Sequence, residues 1–325
     1  MKDLDRQLDR PNIVCVGECL IDFTPIQRQG RTAGFELHPG GSPYNVAVGV
    51  GRIGHPSAFA GRVSTDLFGR LLVQHLEESG VDTSLLHPAP EPTTLAFVAF
   101  DGDEAMYSFR TEGTADTLIR ASDLRPVDFG AAEVLHFGAI SLLFEPTSSS
   151  ILGLVRALRG QVALSFDPNI RPNLVRDWPS YRKLLSDLVG LTDLLKISET
   201  DLRGWGEIRL QDLLASKSSD DGPVAVVLTR GGVGSRLYTR GLALDCPPAP
   251  CRPVDTVGAG DAYTAGLLVS LAESGRLTRS GLAELDADGW LEAMRFASAT
   301  SALTCEQAGA NPPRRAEVLR RLQEW

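Results

Sequence analysis

The sequence contains few of the residues that build disulfide frameworks or metal centres, and these few lack the required spacing. Its 325 residues include five cysteines and five histidines, with no Cys-x-x-Cys pair and no His-Glu-x-x-His motif. We therefore expect reduced, mostly buried thiols, as in a cytoplasmic protein, and find no support for a metal-dependent hydrolase. The cysteines are Cys15, Cys19, Cys246, Cys251 and Cys305.

Signals for membranes, secretion and nucleic acids are also missing. No apolar run approaches the roughly 20 residues that a bilayer requires. The opening residues, MKDLDRQLDRP, are charged and lack the apolar segment of a signal peptide. The formal net charge of -9 disfavours binding to phosphate backbones or anionic membranes. We therefore expect a cytoplasmic protein whose partners are small molecules, with no nucleic acid and no membrane.

The pattern of apolar runs predicts an α/β fold. Hydrophobic residues make up 43% of the chain and charged residues 22%, which is ordinary globular composition. Short apolar runs occur at residues 13–17, 134–137, 162–166, 194–197 and 224–228. Amphipathic stretches such as 151–159 and 181–189 lie between them. This alternation predicts a doubly wound, mostly parallel sheet flanked by helices.

Four short segments follow a different pattern and predict a small second sheet. They cover residues 20–26, 35–38, 94–100 and 106–110, and the last two flank the Gly-containing hairpin signal DGDE at 101–104. We expect a small sheet of antiparallel character, formed by segments about 20–38 and 94–110, that acts as a lid. The alternative is that these segments extend one edge of the main sheet.

The strongest local signal is DTVGAGD at residues 255–261, which precedes a mostly small and apolar run at 262–271. Gly258 and Gly260 lie where a loop enters a helix, so unpaired amides and the helix dipole would stabilise an anion there. Asp261 lies in the first turn and could accept a proton from an attacking hydroxyl. The alternative is that Asp261 only caps the helix.

A second glycine-rich helix entry occurs at GGSPYN, residues 40–45. Ser42 is predicted as the N-cap, with Pro43 at the first helical position. The glycines would let a ligand approach the backbone, and Asn45 could hydrogen-bond sugar hydroxyls. A tight turn that serves only as a helix entry would explain the same glycines.

Together these two segments resemble the signature regions of the ribokinase-like (PfkB) carbohydrate kinase family. The matching stretches are GGSPYNVAVGVGRIG at 40–54 and DTVGAGDAYTAGLL at 255–268. The similarity continues, in the family's order, through residues 17–23, 61–70, 165–172, 194–201 and 228–235, and the chain looks most similar to bacterial fructokinases. The resemblance implies a single ribokinase-like domain over residues 1–325, with the sugar bound between the α/β body and the lid. It also implies an ATP-dependent kinase that phosphorylates a sugar hydroxyl, with D-fructose as the expected substrate.

The resemblance also implies roles for particular residues. Asp261 matches the catalytic base, and Gly258, Ala259 and Gly260 match the anion hole. Sugar contacts are implied for Asp22, Gly40, Gly41, Asn45, Arg110 and Asn169. Nucleotide contacts are implied for Lys196, Thr229, Gly231, Gly232, Gly234 and the segment 308–311. Without the resemblance, the turn at 229–234 would be interpreted as a simple hairpin.

The expected metal site departs from the family pattern. Many members have an Asn-x-x-Glu motif that organises Mg²⁺ and its waters, whereas this chain has Ser198-Glu199-Thr200-Asp201. Glu199 or Asp201 would then act on Mg²⁺ through water. The resemblance further implies K⁺ next to the anion-hole loop, with Asp255 as contributor or as a loop-capping residue. Neither a Gly-x-x-x-x-Gly-Lys P-loop nor the protein-kinase motif set is present, so other phosphotransfer architectures lack support.

Two other functions compete with a fructokinase. A 2-keto-3-deoxygluconate kinase acts on a sugar acid, whose carboxylate could bind Arg110, Arg171 or Tyr107. A non-catalytic sugar-binding protein on the same fold would be expected to lack the catalytic aspartate, but Asp261 is present. The resemblance also makes a homodimer through the lid plausible, since exposed edge strands invite pairing.

Overall fold

A computed structural model describes residues 13–28, 31–101, 104–206, 210, 214 and 221–325. The described residues alternate between strands and helices, which confirms the α/β prediction. The strands are β1 (Ile13–Val16), β2 (Leu20–Arg28), β3 (Arg31–Gly40), β4 (Ser57–Ser64), β5 (Val81–Asp82), β6 (Leu86–Ala89), β7 (Thr94–Asp101), β8 (Glu104–Arg110), β9 (Val134–Gly138), β10 (Ala163–Asp167), β11 (Leu194–Ser198), β12 (Ala225–Thr229), β13 (Ser235–Thr239) and β14 (Ala243–Cys246). The helices are α1 (Ser42–Ile53), α2 (Leu67–Glu78), α3 (Thr147–Leu158), α4 (Trp178–Leu191), α5 (Glu199–Trp205), α6 (Ala259–Glu273), α7 (Arg279–Glu284), α8 (Ala287–Cys305) and α9 (Arg315–Glu324).

The main sheet has the strand order β14-β13-β12-β11-β10-β9-β1-β4-β5, with β6 also paired to β4. It is parallel from β5 to β12, while β13 and β14 run antiparallel. The five predicted strands are confirmed with boundaries that differ by about one residue. Each was recognisable because a parallel strand buried on both faces is a continuous apolar run.

Helices cover both faces of this sheet, and the alternation of side chains along β1 divides the core in two. Ile13 and Cys15 pack with α1, α6 and α8 on one face. Val14 and Val16 pack with α3 and α4 on the other.

All five cysteines are free thiols; three are buried, Cys251 is exposed and Cys305 is half-buried. Within the described part of the chain, no helix is both long enough and apolar enough to span a bilayer.

The second sheet is separate from the main one and has the order β3-β2-β7-β8. The edge-extension alternative is therefore wrong. The expectation of antiparallel pairing holds for β2 with β3 and for β7 with β8, but β2 and β7 are parallel, with Leu20 opposite Thr94. Periodicity within one strand does not reveal the direction of a partner that comes from a distant part of the chain. Residues 102 and 103 of the hairpin signal lie outside the described residues.

Close packing of α6 against its neighbours depends on glycine. A Cβ added at Gly49 of α1 would lie 2.7 Å from the Cβ of Ala265 on α6. A Cβ added at Gly266 would lie 2.7 Å from Thr300 Oγ1 and 2.9 Å from the Cα of Ala297, both on α8. These approaches are shorter than van der Waals contact, so the position of α6 between α1 and α8 depends on small residues.

Two glycine-to-alanine substitutions test this packing. Gly266→Ala should lower the thermal unfolding midpoint, because overpacking a tight core costs about 1–3 kcal/mol. Gly153→Ala is the matched control, since Gly153 is exposed within α3 and an added Cβ would meet nothing within 4 Å. It should stabilise the protein by up to about 1 kcal/mol through its better helix propensity. Equal shifts in the two midpoints would contradict this account of the α6–α8 contact.

Candidate active site

A cleft of about 940 Å³ lies at the carboxyl ends of the central strands. Its wall includes Glu18 after β1, Asn169 after β10, Ser198 at the end of β11 and Thr229 at the end of β12. The small sheet contributes Leu20, Asp22 and Phe109 to the same wall. Ligands of open α/β sheets usually bind at this edge, so the cleft is the candidate active site.

Asp261 lies at the base of this cleft, in the first turn of α6, with only 6% of its surface exposed. Its Oδ1 accepts a hydrogen bond from Ser42 Oγ at 2.7 Å, and its Oδ2 accepts one from Asn45 Nδ2 at 2.8 Å. The N-cap of α6 is Gly258, whose φ of 74° is left-handed. The capping alternative is therefore wrong, because the Asp261 carboxylate bonds to α1 and not to the amides of its own helix.

The surroundings of Asp261 adjust its basicity in two directions. Burial raises the pKa of Asp261 above its ordinary value, while the hydrogen bonds from Asn45 and Ser42 and the positive charges of Lys196 and Arg171 lower it. The net direction is upward. A carboxylate with a raised pKa is a better proton acceptor at neutral pH than an ordinary surface aspartate.

Helix α1 begins one residue earlier than predicted, which changes the roles of its first residues. Gly41, with φ 112°, is the N-cap, and Ser42 is the first helical residue. A Cβ at Gly41 would come within 2.6 Å of the Glu18 carbonyl oxygen, so this position requires glycine. The Ser42 hydroxyl is therefore free of a capping role and donates to Asp261. Asn45, predicted as a sugar contact, lines the cleft but also directs its amide to the same carboxylate.

Lys196 is a buried cation next to the 258–260 turn. Its Nζ donates to Asp167 Oδ2 at 2.7 Å, and the two residues are only 4% and 1% exposed. Burial alone would lower the pKa of Lys196, but Asp167, Asp201 and Asp261 raise it, and the net direction is upward. The ammonium group lies 3.0 Å from the place that a Cβ on Gly260 would occupy. Lys196 therefore remains positively charged beside this turn.

Most, but not all, of the predicted sugar contacts belong to the cleft wall. Asp22 lines the cleft, and a Cβ on Gly40 would overlap the Asp22 carboxylate, so Gly40 lies directly beneath that group. Burial raises the pKa of Asp22 to about 7, and the charge of Arg171 opposes the rise. Asn169 Oδ1 accepts a hydrogen bond from Arg171 Nη1 at 2.6 Å, and both side chains line the cleft.

Two of the predicted sugar contacts, Gly40 and Arg110, do not belong to the cleft wall. Gly40 lies against Asp22, and Arg110 lies at the end of β8. The Arg110 side chain is exposed and donates to Ser108 Oγ at 3.0 Å and to the carbonyl of Phe109 at 3.1 Å. It does not belong to the cleft wall, because it sits at the end of β8, where the alternation along the strand directs Phe109 inward instead.

The predicted nucleotide residues separate into two groups. Thr229, Gly231, Gly232 and Gly234 line the cleft on the turn of the β12–β13 hairpin, so the hairpin interpretation and the binding interpretation are compatible. Segment 308–311 is outside the cleft wall. Ala308, Ala310 and Asn311 line a smaller pocket of about 170 Å³ instead. The segment is held behind the 258–260 turn because Gly309 N donates to Asp255 Oδ2 at 2.8 Å.

Asp201 and Asp255, two of the predicted metal-site residues, already accept hydrogen bonds from backbone N–H groups. Asp201 forms a capping box with Ser198, the N-cap of α5. Its Oδ2 accepts from Ser198 N at 2.9 Å and Ser198 Oγ at 2.5 Å, and its Oδ1 accepts from Ile170 N at 2.7 Å. Asp255 accepts from Val257 N at 3.0 Å in addition to Gly309 N. Both groups therefore hold loops in place, and the loop-capping alternative for Asp255 agrees with this geometry.

Glu199 differs from these two, since it is exposed and lines the cleft at the start of α5. Among the described residues, no three histidine, cysteine, aspartate or glutamate side chains gather to form a metal cluster. Mg²⁺ does not require such a cluster, because it usually keeps several waters and is bound by one or two carboxylates together with substrate phosphates. A single exposed carboxylate in the cleft wall fits that mode of binding.

Two functional residues were missed from the sequence. Ser42 was interpreted only as a cap, although its hydroxyl contacts Asp261. Glu18 was quoted within the 17–23 match but given no role, although it is 3% exposed and lines the cleft. A glutamate that directly follows a buried strand was the available signal, because charged residues are rarely buried without a specific partner.

Comparison with known proteins agrees with this geometry. Residues 10–317 match the profile of the pfkB family carbohydrate kinases. The chain is 38% identical to the fructokinase of Rhizobium leguminosarum bv. trifolii over 84% of each chain. It is also 38% identical to probable fructokinase-7 of Arabidopsis thaliana, over 92% of this chain and 88% of that protein.

Two solved structures have the same fold over almost the entire chain. The fructokinase of Xylella fastidiosa with bound ATP superposes with a TM-score of 0.86 at 29% identity, covering 96% of this chain and 98% of that one. The fructokinase of Vibrio cholerae O395 with fructose, ADP and calcium superposes with a TM-score of 0.82 at 29% identity, covering 97% and 99%. These findings confirm the resemblance and the ribokinase-like fold.

The buried pair of Lys196 and Asp167 yields a stability prediction. Asp167→Asn should destabilise the protein by about 3–5 kcal/mol, because it leaves a buried ammonium group without its carboxylate. Asp187→Asn is the matched control. Asp187 Oδ2 lies 2.8 Å from Lys183 Nζ, but this pair is at the surface, with the Lys183 side chain 77% exposed and the Asp187 side chain 38% exposed. Removing that surface pair should change stability by about 0.5 kcal/mol or less. Chemical unfolding of both variants measures the difference, and similar losses would contradict the buried-pair account.

Proposed function

The chain belongs to the pfkB family of carbohydrate kinases, and we propose that it transfers the γ-phosphate of ATP to a hydroxyl of D-fructose. The observation that carries the proposal is the buried Asp261 carboxylate, held by two donors from α1 at the helix entry that opens onto the cleft. The substrate is supported by the relatives, since fructokinases match this chain at 38% identity over most of its length.

In the proposed reaction, Asp261 accepts the proton of the attacking sugar hydroxyl while the oxygen of that hydroxyl forms a bond to the γ-phosphorus. The bond between the γ-phosphorus and the β,γ-bridging oxygen breaks, and ADP leaves. The amides of Gly258 and Gly260 and the ammonium group of Lys196 stabilise the negative charge on the transferring phosphoryl group. Ala259 is left out of this role, because its amide donates to the Thr256 carbonyl at 3.2 Å. The turn at 229–234 holds the rest of the nucleotide.

On the sugar side, we assign hydroxyl contacts to Asp22, Asn169 and the backbone at Gly41. Asn45 contributes by orienting Asp261. Phe109 and Leu20 of the small sheet line the cleft, so this sheet is suited to act as a lid that excludes water from the transferring phosphate. Arg110 is left out of the assignment, because its side chain bonds elsewhere on β8.

Mg²⁺ would be held, through water, by Glu199 together with the nucleotide phosphates, and it would neutralise charge on them. This assignment rests on the exposure of Glu199 and on the occupied oxygens of Asp201. Asp255 supports the loop next to which K⁺ is expected. A relative from Vibrio cholerae, a fructokinase double mutant, was solved with fructose, ADP and potassium.

A 2-keto-3-deoxygluconate kinase is the second candidate, and Arg171 is the observation that favours it. Its guanidinium lines the cleft close enough to Asp22 to lower the pKa of that carboxyl, and it could bind a substrate carboxylate. The second arginine considered for this role, Arg110, is outside the cleft wall, and the side chain of Tyr107 lies outside the described residues. An assay of the proposed function must therefore include this sugar acid among the acceptors.

The small sheet also supports a proposed homodimer. Phe35 and Leu37 alternate along β3 and are 42% and 44% exposed, so a single face of the sheet presents both to solvent. Light scattering should give twice the chain mass for the wild type, and Leu37→Lys should shift it towards the monomer, because a charge in an apolar interface is costly. A monomeric wild type would contradict this proposal.

The central test of the proposed function is a coupled ATP-consumption assay with Mg²⁺, with and without K⁺. D-fructose should be the preferred acceptor over 2-keto-3-deoxygluconate, ribose and adenosine. Asp261→Asn should lower kcat by about 10²–10⁴-fold, because a general base contributes on that order. Sugar affinity, measured by calorimetry, should change little, since the amide is isosteric.

One control and two alternative outcomes make the result interpretable. Thermal unfolding of Asp261→Asn must resemble that of the wild type. Turnover on the sugar acid in place of fructose would retain the mechanism and replace the substrate. A variant that keeps more than a tenth of the wild-type kcat would contradict the assignment of Asp261 as the base.

A further inference from the structure

Glu18 is a buried carboxylate that the proposed mechanism does not use. It follows β1 directly, is 3% exposed and lines the cleft. Its Oε1 accepts from the backbone N–H of Ser42 at 3.0 Å. Its Oε2 accepts from the backbone N–H of Ser141 at 3.2 Å and contacts the Ser141 hydroxyl, which in turn accepts from Glu18 N at 2.8 Å. Each oxygen thus holds the backbone of a different segment.

The N–H of Ser42 that Glu18 holds is one of the unpaired amides at the start of α1. A carboxylate at this position satisfies the amide and also interacts favourably with the positive end of the helix dipole. Glu18 therefore anchors the first turn of α1 to the end of the central strand. Gly41, the N-cap between them, approaches the Glu18 backbone so closely that no side chain would fit there.

Ser42 connects this anchor to the proposed base. Its backbone N–H is held by Glu18, while its hydroxyl donates to Asp261 Oδ1 at 2.7 Å. One turn further along α1, Asn45 donates to the other oxygen of Asp261. A shift in the first turn of α1 would alter both hydrogen bonds to the Asp261 carboxylate together.

We propose that Glu18 is a positioning residue for phosphoryl transfer, which sets the location and the basicity of Asp261 through Ser42 and the first turn of α1. The proposal rests on the proposed function for its kinetic consequence, but its effect on Asp261 is independent of turnover. A glutamine cannot replace Glu18, because it offers one acceptor oxygen where two backbone N–H groups need one each.

The direction of the effect follows from the hydrogen bonds to Asp261. Donors to an ionised carboxylate stabilise the charged form, and those from Ser42 and Asn45 lower the pKa of Asp261 against the effect of burial. Weakening them should raise the pKa of Asp261. Since the base must be ionised to accept a proton, the acid limb of the rate profile should move to higher pH.

The competing possibility is that Glu18, as part of the cleft wall, binds the sugar directly. Loss of a direct contact would raise the KM for the sugar and leave the pKa of Asp261 where it was. A double-mutant cycle separates the two roles, because residues that act through one another give non-additive effects.

The test uses Glu18→Gln, Ser42→Ala and the double variant, with Asp116→Asn as the matched control. Asp116 is another buried carboxylate near Glu18, but its Oδ1 accepts a hydrogen bond from Thr94 Oγ1 at 2.5 Å. The readouts are the pH profile of kcat/KM for D-fructose and the titration of the Asp261 carboxyl by ¹³C NMR, assigned with Asp261→Asn.

We expect Glu18→Gln and Ser42→Ala each to lower kcat about tenfold or more and to move the Asp261 titration to higher pH. The double variant should be no worse than the more impaired single variant, and Asp116→Asn should leave the titration in place. An unchanged Asp261 titration, an additive double variant or an effect on the sugar KM alone would overturn the proposal.

Two features keep the test decisive. If Glu18→Gln folds poorly, Glu18→Asp retains two acceptor oxygens on a shorter side chain and should shift the titration less than Ser42→Ala does. If the wild type phosphorylates none of the sugars, the proposed function fails, while the NMR titration still decides whether Glu18 controls Asp261.

Discussion

The carboxylate of Asp261 is buried where α1 meets α6, and removing an ionised group from water costs free energy unless other groups compensate. Here the compensation comes from Ser42 and Asn45, which donate one hydrogen bond to each oxygen. The rest of the site depends on this contact. It requires α1 and α6 to be adjacent, which Gly49 permits because it leaves room for Ala265. It also requires the first turn of α1 to be fixed, which is the role inferred for Glu18.

Charged groups of both signs lie close to one another in and beside this cleft. Burial raises the pKa of Asp22, and the nearby positive charge of Arg171 opposes this rise. The positive charge of Lys196 lies beside the 258–260 turn and is retained in spite of burial because Asp167 is bonded to it. In the proposed reaction, this positive charge would attract the negatively charged phosphoryl group to the turn, and Asp261, the proposed proton acceptor, lies in the next residue position. Asp201 and Asp255 contribute by holding the backbone of the surrounding loops.

Sequence reasoning succeeded where a local pattern has a single physical meaning. Buried parallel strands are continuous apolar runs, so β1, β9, β10, β11 and β12 could be predicted almost to the residue. The DTVGAGD segment was informative because glycines before an apolar helix leave amides open to an anion. The parallel pairing of β2 with β7 was missed, since the partner strand lies more than seventy residues away.

Within the site, the errors concern residues whose role depends on what lies across the fold. Asp201 was expected to act on Mg²⁺, but it forms a capping box with Ser198, and its other oxygen accepts from Ile170 N of a distant segment. Arg110 was placed in the cleft by resemblance, but the strand alternation turns it outward. Glu18 and Ser42 were overlooked because their partners are distant in sequence, with Asp261 lying 219 residues after Ser42.

A crystal structure of the protein with D-fructose and a non-hydrolysable ATP analogue would test the central claim most directly. The account predicts one sugar hydroxyl within about 2.6–3.2 Å of an Asp261 carboxylate oxygen. It also predicts that the γ-phosphate analogue contacts the amides of Gly258 and Gly260, with the hydrogen bonds from Ser42 and Asn45 still present. A sugar bound away from Asp261, or an Asp261 side chain turned from the cleft, would contradict the account.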